Sequence, residues 1–259
     1  MNSVSTNLQG HGSRATRLAW GALGPNHILH ASLSVFAAEV AVRLYCVYEM
    51  KTSATIAPSA AANEIKLNVG CGTSGITGWC NIDSSPTIPL SRIPLGRRLF
   101  RTPPWPRDVR RMNVLRGLPF ADRIVAYIYS SHLLQGLTYE ESLGLMKESF
   151  RVLRAGGVLR IVVPDLERIV KDYLADPGPF ASHTLMKRLS LKTSAVRDLL
   201  GRGRGYEQMF DARSLIRLFV DAGFTNPEVC GFKKSRIPEI DDIELEQRKG
   251  ESLYVEATK

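Results

Sequence analysis

The chain has 259 residues, 44% of them hydrophobic and 23% charged, which is enough material for a buried core and excludes a fibrous or intrinsically disordered protein. The formal net charge is +9, and its distribution carries more information than its sum. Cys46, Cys71, Cys80 and Cys230 are scattered without CxxC pairs, which excludes a zinc ribbon or dithiol redox motif and fits free thiols in a reducing cytoplasm.

The first thirty residues lack the basic, apolar, small-residue order of a secretory signal, so a cytoplasmic location is expected. From 31 to 50, Leu33, Phe36, Ala37, Val40, Leu44, Val47 and Tyr48 recur at helical spacing and predict an amphipathic helix. Glu39 and Arg43 near its middle argue against a membrane span. Packing, docking on a partner or peripheral membrane contact are the uses left to it. The small, polar stretch 52–62 reads as a linker, which divides an N-terminal extension, 1–62, from a domain over 63–259.

After the linker, short apolar runs alternate with helical periodicity, the pattern of an α/β fold: a doubly wound, mainly parallel, Rossmann-like sheet of about seven strands. Strands are predicted at 65–69, 79–82, 108–114 and 125–129. Thr138 and Glu141 then form a capping box, Leu143, Met146, Phe150 and Leu153 an apolar stripe, and Gly156 with Gly157 a helix stop. The near-continuous apolar run 158–163 predicts a strand buried on both faces. Residues 166–209 show helical stretches and an arginine- and glycine-rich loop without strand pattern, a cover for the ligand end of the sheet. Asp211 then caps a helix with Leu215, Leu218, Phe219 and Ala222 on its buried side and Gly223 at its end. Strands at 226–232 and 252–257 complete the sheet.

Three glycines, Gly70, Gly72 and Gly75, follow the first strand and spell GxGxxG. Glycine supplies positive φ there and lets the backbone approach a ligand. A dinucleotide site would add a full helix and an acid about twenty residues on. Here Asp83 stands thirteen positions after Gly70, too soon for that helix, so a pyrophosphate site is disfavoured. Asp83 closes the second strand, where a carboxylate accepts from both hydroxyls of a ribose; the competing reading is a turn former before Ser84-Ser85-Pro86.

Leu67-Asn-Val-Gly-Cys-Gly72, Gly78-Trp-Cys-Asn-Ile-Asp83, Gly117-Leu-Pro-Phe120, Ser130-Ser-His132, Arg151-Val-Leu-Arg-Ala-Gly-Gly157 and Val163-Pro-Asp165 occur in this order. Together they resemble the class I methyltransferases that use S-adenosyl-L-methionine, in the branch related to methyltransferase type 11 with a shortened first helix. The resemblance runs from about Glu64 to Lys259. It implies that Asn68, Gly70, Cys71 and Gly72 contact the methionine part of the cofactor, Asp83 the ribose, and Asn113 with Val114 the adenine, with Ser131 lining the site. Asn113 stands where the family usually has an acid. His132 is the first candidate for a general base, with a structural hydrogen-bonding role as its competing reading, and Asp165 the second, although Asp165 also suits a helix cap. Relatives commonly continue with a Glu-His pair, which here is Gln135-Gly136.

Two readings of function follow. One is a methyltransferase acting on a small-molecule or glycan-type acceptor by in-line displacement; the other is a catalytically inactive binding or scaffold subunit that keeps the fold, with Asn113, Gln135 and Gly136 as signs of lost chemistry. Arg92, Arg97, Arg98, Arg101, Arg107, Arg110, Arg111 and Arg116, and separately Arg197, Arg202 and Arg204, are either solvated loop charge or a platform for an anionic acceptor or membrane surface. The sequence has no specific nucleic-acid motif, no metal-ligand cluster and no feature that sets an oligomeric state.

Overall fold

A computed structural model describes residues 64–92, 104–176 and 206–259. The helix expected at 31–50, the N-terminal extension and the arginines from 97 to 101 and 197 to 204 lie outside the described residues.

Seven strands, β1 (Ile65–Val69), β2 (Cys80–Asp83), β3 (Arg110–Arg111), β4 (Val125–Ser131), β5 (Leu153–Pro164), β6 (Thr225–Cys230) and β7 (Ser252–Thr258), form one sheet in the order β3-β2-β1-β4-β5-β7-β6. Strands β3, β2, β1, β4 and β5 pair in parallel, while β7 runs antiparallel to both its neighbours, β5 and β6. The fold is thus the expected Rossmann-like α/β sheet, mainly parallel. Periodicity did not carry one detail: the last strand in the chain inserts between β5 and β6.

Among the described residues the helices are α1 (Thr87–Ser91), α2 (Tyr139–Val152), α3 (Leu166–Ala175), α4 (Ala212–Asp221) and α5 (Ile240–Ile243). Thr138 opens α2 by accepting from the Glu141 N–H, and the Glu141 side chain reaches back to Thr138 N–H, the predicted capping box. The predicted end of this helix is corrected. It stops at Val152, and Leu153 to Gly157 already belong to β5. At Gly157 a Cβ would lie 3.0 Å from the carbonyl oxygens of Ala126 and Arg154, so the two glycines serve a tight bulge at the start of the strand rather than a helix stop. The buried stripe of α2 accordingly falls on Leu145, Met146 and Val152, with Ser142 and Ser149. Helix α4 begins as expected at Asp211, which accepts from Ser214 N–H.

Strand alternation divides the core between the two faces of the sheet. On one, Leu67, Val69, Ile128, Leu159, Ile161 and Val163 pack against Met146 of α2 and Leu215, Leu218 and Phe219 of α4; burying each such side chain contributes about 1.5–3 kcal/mol. On the other, Trp79, Tyr129, Val158, Val162 and Tyr254 pack against Ile237, Ile240 and Ile243. The centre of that second face holds Arg160, fully buried in the strand predicted to be apolar. Its Nε donates to Glu244 at 2.6 Å, its Nη1 to Glu256 at 3.4 Å and to the Lys234 carbonyl, and its Nη2 to the Gly231 carbonyl. A charge so enclosed persists only with its donors satisfied in this way.

Candidate functional site

The parallel register brings the predicted residues to one edge. The glycine loop follows β1, Asp83 ends β2, Asn113 follows β3, Ser131 and His132 end and follow β4, and Asp165 follows β5. The carboxyl ends of adjacent parallel strands are where open α/β sheets hold ligands.

The glycine loop turns its first amides inward. Gly70 N–H and Cys71 N–H both donate to the Ile82 carbonyl, at 2.8 and 3.1 Å, and Gly72 N–H donates to Asp83 Oδ2 at 2.9 Å. No helix intervenes between this loop and β2. Gly70 has φ 70° and Gly72 φ 55°, conformations that a Cβ disfavours. A Cβ on Gly70 would meet Leu133 Cδ2 at 2.9 Å, whereas one on Gly72 meets nothing; the close neighbour of Gly70 is a side chain of the protein itself. The third glycine of the match departs from its expected role: Gly75 lacks positive φ and faces Pro106, and Gly78 is the next residue with positive φ.

Asp83 holds the loop with one oxygen and the Ser85 N–H with the other, at 2.8 Å. A carboxylate offers about four lone-pair positions; Gly72 and Ser85 N–H use two of them, and the Ser84 N–H acts on the same group. Burial pushes this carboxyl above its ordinary range, and the N–H groups of Ser85, Gly72 and Ser84 pull it back only in part. Cys71 packs with Ile88, Val109 and Trp105. Burial, reinforced by the Asp83 charge, pushes its thiol up to about 12, so it is inert as a nucleophile.

Asn68 is buried and its amide donates to Asn81 Oδ1 and to the Ser74 carbonyl; its side chain shapes the loop. Asn113 accepts from Leu115 N–H at 3.1 Å and so caps the 3-10 turn Val114–Arg116, of which Val114 is buried. His132 adopts φ 56°. Its Nδ1 lies 3.1 Å from Arg248 Nη1 and its Nε2 2.9 Å from Ser252 Oγ. A guanidinium only donates, which makes Nδ1 the acceptor and assigns the proton to Nε2. Arg248 Nη1 also donates to Glu251 at 2.7 Å. Asp165 caps α3 by accepting from Arg168 N–H. The Gln135 side chain donates to the His132 carbonyl at 2.7 Å, and its main-chain carbonyl accepts from Glu207 N–H, which ties β4's exit to the segment before α4.

Sequence reasoning missed Asn81, Asp108, Arg248 and Ser252. For Asn81 the signal was present: an amide inside a buried strand requires partners. For Arg248 and Ser252 it was not, since only the fold brings them to His132. Among the described residues no helix is long and apolar enough to cross a membrane.

Neither a protein-family model nor a curated protein sequence matches this chain. Solved structures do. A SAM-dependent methyltransferase from Methanosarcina mazei is 20% identical, over 76% of this chain and 94% of that one, with a TM-score of 0.43. One from Archaeoglobus fulgidus is 13% identical over 86% and 94%, TM-score 0.43. An S-adenosylmethionine-dependent methyltransferase from Mesorhizobium loti is 14% identical over 78% and 94%, TM-score 0.42. At these identities and scores the likeness assigns no activity to this chain.

Proposed function

We propose that this protein binds S-adenosyl-L-methionine at the carboxyl edge of β1, β2 and β3 and transfers its methyl group to a small-molecule acceptor of anionic or glycan type. The observation that carries the reading is the closed glycine loop. Its amides bond to Ile82 and Asp83 and no helix follows, which leaves poor provision for a pyrophosphate and disfavours a nicotinamide dinucleotide. Asp83 keeps lone-pair capacity to accept from a ribose hydroxyl. A phosphate-free nucleoside cofactor fits this donor and acceptor set. In the proposal Asp83 takes the ribose, the backbone of Asn68, Gly70, Cys71 and Gly72 faces the methionine part, and Asn113 with Val114 the adenine, with Ser131 on the wall beyond.

The sulfonium supplies an electrophilic methyl. Asp83 and the glycine-loop backbone would hold the cofactor with that methyl offered to an acceptor lone pair in line with the carbon–sulfur bond, whose electrons sulfur would keep. The protein's part is alignment and exclusion of water. Arg248 engages the His132 lone pair, so His132 serves as a base only when an acceptor draws that guanidinium away; an anionic acceptor is suited to do so. Asp165, engaged as a helix cap, ranks behind it.

A second reading, a binding subunit without catalysis, has its own support, because His132, Asn113 and Asp165 all use their side chains to hold protein structure. Calorimetric titration with S-adenosylmethionine and S-adenosylhomocysteine separates the two. Micromolar binding by wild type is expected, weakened about 10- to 100-fold in Asp83→Ala, the range for lost hydrogen bonds to a charged group. Absence of binding by wild type would overturn the enzyme reading and favour the scaffold.

A further inference from the structure

Ile82 of β2 points into the helix-covered core, so alternation sends Asn81 to the opposite face, where it is fully buried. An amide without solvent must find every partner inside the protein. Asn81 finds them on Ile76 and Trp79 in the second half of the glycine loop and on Asn68 and Asp108 to either side. Its Oδ1 accepts from Ile76 N–H at 2.9 Å and from Asn68 Nδ2 at 3.0 Å. Its Nδ2 donates to the Ile76 carbonyl at 2.9 Å, to the Trp79 carbonyl at 3.3 Å and to Asp108 Oδ2 at 2.6 Å. Asn68, its register partner on β1, donates onward to the Ser74 carbonyl.

We infer that Asn81 is a positioning residue for cofactor binding: it sets the shape of the 70–79 loop and locks that loop to the segment carrying Asp108. The inference rests on the reading that this loop faces S-adenosylmethionine. Asn81 acts at a distance from the ligand, through Ile76, Trp79 and Asn68. The loop cannot take its shape from a following helix, because none is present; Ile82 and Asp83 hold its first half and Asn81 its second. Asp108 extends the lock, since Pro106 of the same segment is the neighbour that Gly75 faces, and Val109 packs on Cys71.

The test pairs hydrogen exchange without ligand with calorimetry using S-adenosylhomocysteine, on full-length wild type, Asn81→Ala, Asp108→Ala and Asp108→Asn. Asn81→Ala is expected to speed exchange of the Ile76 amide at least about tenfold while α4 amides stay protected, and to weaken binding about tenfold or more with Asp83 intact. Asp108→Ala should give a smaller loss, and Asp108→Asn, which keeps an acceptor for Asn81, should restore near-wild-type affinity. Should Asn81→Ala fail to fold, the two Asp108 variants carry the same comparison. Ile76 protection and affinity both within about twofold of wild type in Asn81→Ala and Asp108→Ala would overturn the inference. Wild type that fails to bind S-adenosylhomocysteine overturns the functional reading alone, and the exchange rates then still decide whether Asn81 shapes the loop.

Discussion

Arg160 sits where the chain least advertises a charge, between Leu159 and Ile161 in the middle of β5. Its partners Glu244 and Glu256 lie 84 and 96 positions away, so no local pattern announces them, and the stretch reads as an apolar strand until the fold closes. Glu256 also accepts from the Ser235 hydroxyl and the Arg236 N–H, and Glu244 from the Lys233 N–H, so the cluster pins residues 231–236 to the sheet. Removing one member leaves buried charge uncompensated. Arg160→Met is expected to lose about 3–5 kcal/mol in urea denaturation, because it leaves Glu244 and Glu256 buried without their cation and the Gly231 and Lys234 carbonyls without a donor. Cys71 makes a second expectation. Its thiol titrates near 9.0 in the unfolded chain and at about 12 in the fold. Below pH 9 both states are protonated and its contribution is fully present; between 9 and 12 only the unfolded chain ionises, so stability falls as pH rises. The urea midpoint should decline from pH 9 to 11, and less steeply in Cys71→Ala.

Elements governed by near neighbours in the chain were legible, and those governed by tertiary packing were not. The caps at Thr138 and Asp211 formed as read, because a cap uses only residues three positions apart. Thr138→Ala should cost about 1 kcal/mol, measured by denaturation. By contrast β3 shrank from the expected 108–114 to Arg110–Arg111, since it is an edge strand whose length depends on what β2 offers, and α2 ended early because β5 claims Leu153 onward. The glycine loop falls between these cases. The sequence located it, but the duties of its glycines depend on neighbours from elsewhere. Gly72→Ala, with open space around its Cβ, should cost about 1–2 kcal/mol for its left-handed backbone alone. Gly70→Ala carries that cost together with a clash against Leu133 and should be the more destabilising of the two, by thermal or urea unfolding.

Across the whole molecule, strand count, fold class and the edge that gathers the site residues all followed from the alternation of strands and helices. The order of the sheet did not, because pairing between β5 and β7 joins segments nearly a hundred residues apart, and nothing within either strand names its partner. The candidate site was legible in its placement, the glycine loop after β1 and Asp83 at the end of β2. It was illegible where side chains meet across elements, as at His132, Arg248 and Ser252. The placement of β7 also bears on how the protein comes to be made. Until Ser252–Thr258 has been synthesised, β5 has no partner on its outer side, and one of the most apolar strands presents an open hydrogen-bonding edge. The nascent chain therefore passes through a stage prone to mispairing, and sheet closure is a late, long-range step that favours slow folding and dependence on protection from other chains during synthesis.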